Sequence, residues 1–478
     1  MAARTEKLVI GARLRRLRRS LGLTQAQMAE DLGISPTYVN LMEANQRPVS
    51  AKVLLRLSQV YDFSLSEISG GGEMQLLGEL EGALKDPVFG AAIPRTEAEE
   101  VVNASPDLAR AVLRLHDRYR ELAMSALAER NPVSDRETVE MLEQAARPVE
   151  EVRVHFHERH NHVAALDLAA EAMADEIGLQ QDEPQIVLND RLRERHGYRV
   201  RILPQDVMPH RLSRFDPHRR QLLLSERLDQ PGRRFQIAAR LALLDCADLI
   251  DAEVRAGGFS AAARPLARVS LANYFAAALL MPYGRFLQAC EAERYDVELL
   301  GQRFGTSYEQ VAHRLTTLQR PEARGVPFFF VRVDRAGNIS KRFSAGRFHF
   351  SKFGGTCPLW NIHACFETPD RVQTQVIAMP DGTTYFSFAR TVTRHVGSHA
   401  EPAARMAIGL GCDIAYAPRL VYARHLDLAA TQPTEIGVNC YLCERPDCPS
   451  RAYPPIARPL AFSERERGIS SFGFSGRE

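Results

Sequence analysis

The stretch LTQAQMAEDLGISPTYVNLME, residues 23–43, decides the fold of the amino-terminal part of this chain. Thr24 is a typical N-cap residue for one helix, and Gly33 is a residue at which such a helix ends. Ser35 and Pro36 begin the next helix within three residues of that glycine, because serine caps a helix and proline suits its first turn. Two short helices joined by so tight a turn are the sequence signature of a helix-turn-helix.

In such a unit the second helix enters the major groove of DNA and presents its first residues to the base edges. Asn40 can read adenine through two hydrogen bonds, and Thr37 can offer a hydroxyl or a methyl group. Residues at a helix N-terminus or just beyond the second helix suit contacts with phosphate. The predicted DNA contacts are Gln25, Ser35, Pro36, Thr37, Tyr38, Asn40, Asn45 and Arg47.

Positive charge is concentrated in this part of the chain. Residues 1–61 hold ten Lys and Arg against four Asp and Glu, a charge of +6, whereas the whole chain carries +2 and the remainder therefore −4. This distribution is expected where a phosphate backbone would lie, the alternative being a helical bundle with a solvated basic face. Residues 23–43 resemble the repressor-like helix-turn-helix family without gaps.

Length and composition limit what the rest of the chain can be. The 478 residues are 45% hydrophobic, enough for about three domains with cores of their own. The sequence has no apolar run of about 18 residues and no apolar signal region, so we expect no membrane span and a cytoplasmic protein. Eight cysteines favour free thiols and one metal site over a set of disulfides.

We predict a multidomain chain, mainly α with an α+β part. The expected boundaries are 7–69 for the helix-turn-helix domain, 70–148 for a connector with one helix, 149–320 for a middle domain, 321–460 for a carboxy-terminal α+β domain, and 461–478 for a tail whose end is frayed.

Proline, glycine and apolar spacing predict the elements within these boundaries. Residues 73–104 are expected to be loosely ordered and to precede a helix from Ser105 to about Glu129. A second connector between Pro132 and Pro148 is expected before one long helix over about 149–177. Long helices between a DNA-binding module and a distal domain suit dimerisation, so we expect a homodimer or a higher homo-oligomer. Two β-hairpins are predicted, over 328–343 and 372–390.

Residues 234–243, RFQIAARLAL, resemble the zinc-binding helix of zinc peptidases from toxin–antitoxin and stress-regulator proteins. That helix reads R-F-x-x-A-H-E-x-G-H, with both histidines on one face for zinc. Ala239 and Leu243 occupy the two histidine positions here, and Arg240 occupies the position of the glutamate. Peptidase activity is therefore not expected; a divergent peptidase that cleaves a partner repressor is the alternative.

The third ligand position of this pattern is also vacant, because Ala278 stands where the peptidases carry a glutamate. Ligands replaced by Ala and Leu predict an apolar slot able to accept a short acyl chain. Arginines beside such a slot could bind phosphate, which together suits an acyl-CoA; a decayed fold kept as a scaffold is the alternative. The predicted ligand-binding residues are Arg220, Arg234, Arg240, Tyr274 and Ala278.

Residues 437–449, GVNCYLCERPDCP, hold three cysteines in a loop rich in Gly and Pro. The C-x2-C-x4-C spacing of Cys440, Cys443 and Cys448 predicts a zinc or iron–sulfur ligand set, with three thiols without metal as the alternative. Cys412 is the expected fourth ligand, with Cys357 as the other candidate and an open fourth position as a further alternative. Cys246 and Cys290 lie on apolar helices and are expected in the core.

Three further motifs complete a resemblance that covers nearly the whole chain: GTCPLW at 355–360, LGCDI at 410–414, and RAYPP at 451–455 after the cysteine loop. Together with the amino-terminal module and the ligand-stripped peptidase pattern, they resemble bacterial short-chain acyl-CoA-responsive transcription regulators of propionate, methylcitrate and glyoxylate-cycle genes. The resemblance implies an acyl-CoA effector in the middle domain, DNA as a partner, and a 4Fe–4S cluster held by carboxy-terminal cysteines. A redox or iron sensor is the alternative function.

Overall fold

The structure is a computed structural model. It describes residues 14–15, 17–18, 21–44, 46–47, 49, 53, 56–57, 60–61, 71–84, 86–90, 93–129, 136–179, 183–346, 348, 350, 356–394, 403–428, 430–456, 458–461, 465–470 and 472–474. The chain forms two compact units, Met1–Val139 and Glu140–Glu478.

The predicted helix-turn-helix lies in the first unit, as α1 (Gln25–Leu32) and α2 (Pro36–Glu43). Thr24 and Gln27 form a capping box at the start of α1, so that two otherwise unpaired N–H groups are satisfied. Gly33 ends the helix with a φ of 64°, a left-handed conformation that favours glycine. The Ser35 side chain then accepts a hydrogen bond from the Tyr38 N–H at the start of α2. The two helices share a core built from Leu14, Met28, Ala29, Leu32, Val39, Met42 and Leu57.

Further helices described in this unit include α3 (Gly71–Leu84), α4 (Arg95–Ala104) and α5 (Pro106–Glu129). The expectation of a loosely ordered segment over 73–104 is therefore wrong. Prolines and glycine at 87, 90 and 94 fall in the short connection around the 3-10 turn Pro87–Phe89, and not within a helix. The helices stay together because their apolar side chains form one cluster: Leu76, Leu77, Leu80, Ala98, Val102 and Ala109. The predicted helix at 105–129 is confirmed by α5.

The second unit begins within α6 (Arg136–Glu158), which is followed by α7 (Ala164–Glu176). Pro148 lies inside α6, so the predicted connector does not reach it. The single helix expected over 149–177 is broken, because His160 and Asn161 adopt φ values of 50° and 58°. Such values are incompatible with a right-handed helix.

The middle region is a small sheet followed by a set of helices. α8 (Pro184–His196) precedes β1 (Arg199–Leu203), β2 (Ser213–Asp216) and β3 (Gln221–Ser225), in the order β1-β3-β2. β3 is parallel to β1 and antiparallel to β2. The helices are α9 (Gln230–Asp245), α10 (Ala247–Ala256), α11 (Arg264–Leu280), α12 (Tyr283–Ala292), α13 (Val297–Phe304) and α14 (Tyr308–Leu315). α9 and α11 share the core through Ile237, Ala238, Leu241, Phe275 and Ala278.

The carboxy-terminal region is built on a sheet of six strands. After the short pair β4 (Gln319–Arg320) and β5 (Ala323–Arg324), its elements are β6 (Phe329–Val333), β7 (Ile339–Ser344), α15 (Asn361–Ala364), β8 (Gln373–Ala378), β9 (Thr384–Arg394), β10 (Ala404–Asp413) and β11 (Thr434–Glu435). The order is β11-β8-β9-β10-β6-β7, and both predicted hairpins are confirmed by β6–β7 and β8–β9.

Side chains on the two faces of this sheet belong to different cores. Phe330, Phe386 and Leu410 on one face pack with residues of α12, α13 and α14. Val331 and Tyr385 on the other face pack with Trp360 and Ile362 around α15. The predicted multidomain α and α+β fold is thus confirmed.

The segment after the sheet does not fray as expected. Leu460 pairs with Phe474 in an antiparallel bridge, and the Ala461 N–H donates to the Gly473 carbonyl at 2.9 Å. Among the described residues, no helix combines the length and the apolar character that a membrane crossing requires.

Candidate nucleic-acid interface and effector sites

The amino-terminal end of α2 is open to solvent. Pro36, Thr37 and Asn40 are exposed, whereas Tyr38 is half-buried and packs against the core. The Arg47 guanidinium lies 5.6 Å from the centre of the Tyr38 ring, beside the same end of the module. These side chains form one surface that the major groove of DNA could accept. Asn45, also predicted as a contact, lies outside the described residues.

A buried carboxylate holds α2 against the preceding helices. Glu43 is 3% exposed and accepts hydrogen bonds from Arg18 Nε at 2.6 Å and Gln25 Nε2 at 2.9 Å. Burial alone would raise the pKa of Glu43, but the bonds from Arg18 and Gln25 bring it below its usual value. Gln25 also donates to Asn40 Oδ1 at 3.4 Å. Gln25 therefore links the two helices, a role that the predicted phosphate contact did not include.

The vacated metal-ligand positions lie in a continuous core. Ala278 is fully buried, and Ala239 and Leu243 pack against the same cluster. The expectation of an apolar slot at these positions is therefore corrected. The small side chains let α9 and α11 pack together there. The two cavities described below are lined by none of these three residues.

Tyr274 also has a place in the core. Its hydroxyl donates to Asp167 Oδ2 at 2.6 Å and accepts from the Val163 N–H at 3.0 Å. The same carboxylate pairs with Arg314 at 2.6 Å, both side chains being fully buried. Burial would raise the pKa of Asp167, but Arg314 and the hydrogen bonds lower it to about 2. Tyr274 is therefore a structural residue, and the expectation that it contacts a ligand is corrected.

Arg234 lines a cavity of about 720 Å³ between α9, α12 and α13. Arg285 and Arg303 lie on the same wall, and Leu280 and Phe304 give it an apolar part. Arg234 already has partners within the protein: it pairs with the Glu183 carboxylate and donates to the Gly305 carbonyl at 3.3 Å. A smaller cavity of about 480 Å³ adjoins it and is lined by Arg234, Tyr308 and Arg390.

The other predicted arginines lie elsewhere. The Arg240 guanidinium covers the ring of Phe215 on β2, 4.0 Å from its centre. Arg220 is exposed in the turn between β2 and β3, where its φ is 49°. The expectation that Arg220, Arg234 and Arg240 flank one opening is thus corrected: two separate basic sites exist, one at Arg234 and one at Arg240.

The cysteine loop contains the 3-10 turn Cys440–Leu442 and is organised around Arg451, which is 4% exposed. The Arg451 guanidinium donates to four backbone carbonyls: those of Cys440 at 3.2 Å, Cys443 at 3.0 Å, Arg445 at 2.6 Å and Tyr453 at 3.3 Å. Sequence reasoning noted the RAYPP motif but not this role. The available signal was an arginine directly after a Gly- and Pro-rich loop, whose backbone carbonyls a regular helix or strand would not pair.

Cys357, rather than Cys412, lies beside this loop. Burial raises the pKa of the Cys357 thiol, N–H groups of Gly437 and Leu359 oppose that rise, and Cys443 and Cys440 are near enough to add to it. Cys412 points to the opposite face of the sheet with Ile408 and Leu410, since side chains alternate along β10. The expected fourth ligand at Cys412 is therefore corrected. Cys290 is buried in the core as predicted, and Cys246 is partly buried against it.

These thiols do not lie close enough together to form a metal site by themselves. Within the part of the chain that the structure describes, no three His, Cys, Asp or Glu residues are grouped closely enough to hold a metal ion. The chemistry of the set nevertheless suits a soft metal, because four thiols lie in or beside one loop and the Ala452 N–H points at Cys440 Sγ at 3.5 Å.

Three families match consecutive parts of the chain. The helix-turn-helix family matches residues 14–68, the IrrE N-terminal-like domain matches 193–316, and the carboxy-terminal domain of the short-chain fatty acyl coenzyme A regulators matches 317–472. The HTH-type transcriptional regulator RamB of Mycobacterium tuberculosis is 43% identical over 476 residues, 98% of each chain. The chain belongs to the short-chain fatty acyl coenzyme A regulator family. The resemblance inferred from its motifs is confirmed.

Other members of this family are similar over the same length. The propionyl-CoA carboxylase regulator of Cereibacter sphaeroides is 43% identical, over 97% of this chain and 98% of the relative. The HTH-type transcriptional regulator PrpR of Mycobacterium tuberculosis is 41% identical, over 98% and 96%. A solved Mycobacterium tuberculosis transcriptional regulator superposes with a TM-score of 0.65 at 43% identity, covering 68% of this chain and 99% of that one. These relatives are named as regulators, although the chain contains a peptidase-like domain.

Proposed function

We propose that this protein is a cytoplasmic transcription regulator of short-chain fatty acid metabolism, that of propionate or acetate, which binds DNA and responds to a short-chain acyl-CoA. The observation that carries the proposal is the exposed surface of Thr37 and Asn40 on an intact helix-turn-helix. It is joined in one chain to a peptidase-like domain and a domain of the acyl coenzyme A regulator family. The names of the relatives supply the metabolic context.

We further propose that the protein is not a peptidase. A zinc peptidase needs three protein ligands and a general base, and Ala239, Leu243 and Ala278 offer no metal-binding atom. Arg240 in place of the glutamate cannot accept a proton from water. Mass spectrometry of a candidate partner repressor, incubated with the protein and zinc, should show no cleavage product; a specific cleavage would overturn this proposal.

The effector belongs to the middle domain in this proposal. Two positions in that domain are candidates: the Arg234 cavity of about 720 Å³, which lies within the range of small-molecule sites and combines arginines with an apolar wall, and the separate site at Arg240 over Phe215. Isothermal titration of propionyl-CoA against the wild type and the variants Arg234→Ala and Arg240→Ala tests the site. Loss of affinity in either variant supports the middle domain, and unchanged affinity in both places the site elsewhere.

A homodimer is proposed through α5. Leu108, Val112, Leu115 and Tyr119 follow a 4-3-4 spacing, which is the repeat of a coiled-coil seam, and Leu122 continues it in the sequence. Leu108, Leu115 and Tyr119 are 54%, 71% and 43% exposed, while Val112 is half-buried and packs at the edge of the cluster that α5 shares with α3 and α4. A second copy would bury this stripe and present two DNA-binding modules to a two-fold operator.

Analytical ultracentrifugation tests the dimer. Leu115→Asp should give a monomer, because it places a charge in the seam, whereas Arg114→Ser on the same helix should remain a dimer. A wild type that is monomeric at micromolar concentration, or a Leu115→Asp variant that still dimerises, would overturn the proposal.

A metal centre in the cysteine loop is proposed as a second, redox-sensing input. Cys440, Cys443 and Cys448 would hold it with Cys357, whose nearness to Cys440 and Cys443 favours this set. Thiolates select a 4Fe–4S cluster or zinc; the family resemblance favours the cluster, which would supply a redox-sensitive charge beside the Arg451 loop.

Protein purified without air should be brown, and Ser at Cys440, Cys443, Cys448 or Cys357 should remove the colour, whereas Ser at Cys412 should not. A colourless protein with one zinc per chain would exclude the cluster.

A further inference from the structure

Arg240 is a cation without an anion. Its Nε atom is fully buried with no hydrogen-bond partner, and its guanidinium forms no ion pair or hydrogen bond with any residue that the structure describes. The guanidinium carbon lies 4.0 Å from the centre of the Phe215 ring. A partly buried charge left without a partner is costly for a fold, so its retention calls for an explanation.

Three other arginines of the middle domain are paired with carboxylates, unlike Arg240. Arg234 pairs with Glu183, Arg268 pairs with Asp251 at 2.7 Å, and Arg191 pairs with Glu176 at 2.6 Å and with Asp245 at 3.3 Å. Burial lowers the pKa of Arg240, Tyr198 raises it, and the charge of Arg268 lowers it further. A second cation in range adds to the attraction for an anion.

The shape of the site suits phosphate. The guanidinium carbon lies over the Phe215 ring, and its two terminal NH2 groups, unlike Nε, are not buried, so they can donate to two oxygens of a phosphate group. The aromatic surface continues from Phe215 to Tyr198, whose ring centres are 4.7 Å apart. The position is also that of the glutamate in the peptidase pattern, so a cation stands where the peptidases hold an acid.

We propose that Arg240 is the anchor for the phosphate groups of a phosphorylated small molecule, and that Arg234 is not. Arg240 has no competing carboxylate, whereas a phosphate at Arg234 would have to displace Glu183. In the context of the proposed function, on which this assignment to the effector rests, the phosphates of the acyl-CoA bind over Phe215 beside Arg268.

The test measures thermal stability of the full-length protein with and without anions, in the wild type, Arg240→Met and the matched control Arg234→Met. Without added anion, Arg240→Met should melt at a higher temperature than the wild type, because it removes an unpaired buried charge. Arg234→Met should melt lower, because it breaks an existing pair. Pyrophosphate and coenzyme A should stabilise the wild type and Arg234→Met, since a ligand that binds only the folded state raises its melting temperature. They should have no effect on Arg240→Met.

Further measurements distinguish recognition of phosphate alone from recognition of an acyl-CoA, and the Arg240 site from the effector proposal. Titration should give a Kd for coenzyme A at least about tenfold weaker in Arg240→Met, as expected for loss of a charged hydrogen-bond partner. ADP should compete if the phosphates alone are recognised, and propionyl-pantetheine, which lacks phosphate, should not.

A lower melting temperature for Arg240→Met, or a pyrophosphate effect that survives in it, would overturn the site. Propionyl-CoA that binds the wild type and Arg240→Met equally would overturn the site alone, whereas a wild type that responds to pyrophosphate and ignores propionyl-CoA would support the site and refute the effector proposal.

Discussion

Two regions of this chain are built on the same local rules and differ in what surrounds them. In the first, Thr24 caps α1, Gly33 ends it and Ser35 caps α2. In the second, Asp296 caps α13, Gly305 ends it with a φ of 62°, and Ser307 caps α14. The caps are eleven residues apart in both regions, and each glycine lies nine residues after the first cap.

The second helices have different surroundings. Thr37 and Asn40 on α2 are exposed, whereas the matching face of α14 is covered by the sheet. Glu309 pairs with Arg332 at 2.7 Å, and the His313 ring lies 4.4 Å from that of Phe343. Capping residues thus set the geometry of a helix-turn-helix, but only an uncovered second helix can reach DNA. The following predictions test this difference, from the largest expected effect to the smallest.

The buried pair that fastens α14 should carry the largest effect. Asp167→Ala leaves Arg314 fully buried without a carboxylate to balance its charge, so we expect the free energy of unfolding to fall by about 3–5 kcal/mol. Asp251→Ala, which breaks a half-exposed pair, should cost about 1 kcal/mol or less. Urea unfolding followed by circular dichroism measures both. Equal losses would mean that the buried pair does not hold the second region together.

DNA contacts should depend on α2 and not on α14. Thr37→Ala and Asn40→Ala should each reduce discrimination for one operator base by about 1–3 kcal/mol. Arg47→Ala should weaken all DNA similarly and flatten the salt dependence, because it removes a phosphate contact. Glu309→Ala on α14 is the control and should leave the base preference unchanged. Fluorescence anisotropy with specific and random duplexes distinguishes these results; equal losses on both duplexes for Asn40→Ala would remove Asn40 from base readout.

Acid should weaken the second region through Asp167. Its folded pKa, lowered to about 2 by Arg314 and its hydrogen bonds, lies below the unfolded value. The stability it provides, roughly 2 kcal/mol, is therefore present above about pH 4 and lost as the pH falls toward 2. Melting temperatures between pH 5 and 2 should fall more steeply for the wild type than for Asp167→Asn. Parallel curves would show that another group controls the acid response.

The glycines that end α1 and α13 should differ slightly in how much an alanine substitution lowers the free energy of unfolding. Gly33→Ala should cost about 1–2 kcal/mol, the price of a left-handed residue with a side chain. Gly305→Ala should cost more, because its methyl group would collide with Arg234, which is held by Glu183, whereas at Gly33 it would meet the tip of Arg56. Urea unfolding of both variants measures the difference, and a smaller loss for Gly305→Ala would contradict it.

What the sequence could predict was local. Caps, turns and alternating strands are encoded within a few residues, so both hairpins and the helix-turn-helix followed from spacing. Contacts between segments that are distant in the sequence were harder to predict. Spacing could not tell whether Ala239 and Ala278 leave a slot or pack together, nor on which face of a sheet Cys412 would lie. Arg240 was predicted as a phosphate ligand, but its separation from Arg234 and its position over Phe215 emerge only in three dimensions.

The most direct test of the account is operator affinity of the full-length protein with and without propionyl-CoA, measured by fluorescence anisotropy. The duplex is taken from genome-wide footprinting of cells grown with and without propionate. Coupling between the two sites should change the Kd for this duplex by about 5–150-fold, and leave the Kd for random DNA unchanged. An operator Kd that is the same at zero and saturating propionyl-CoA would contradict the proposal that this regulator reads an acyl-CoA.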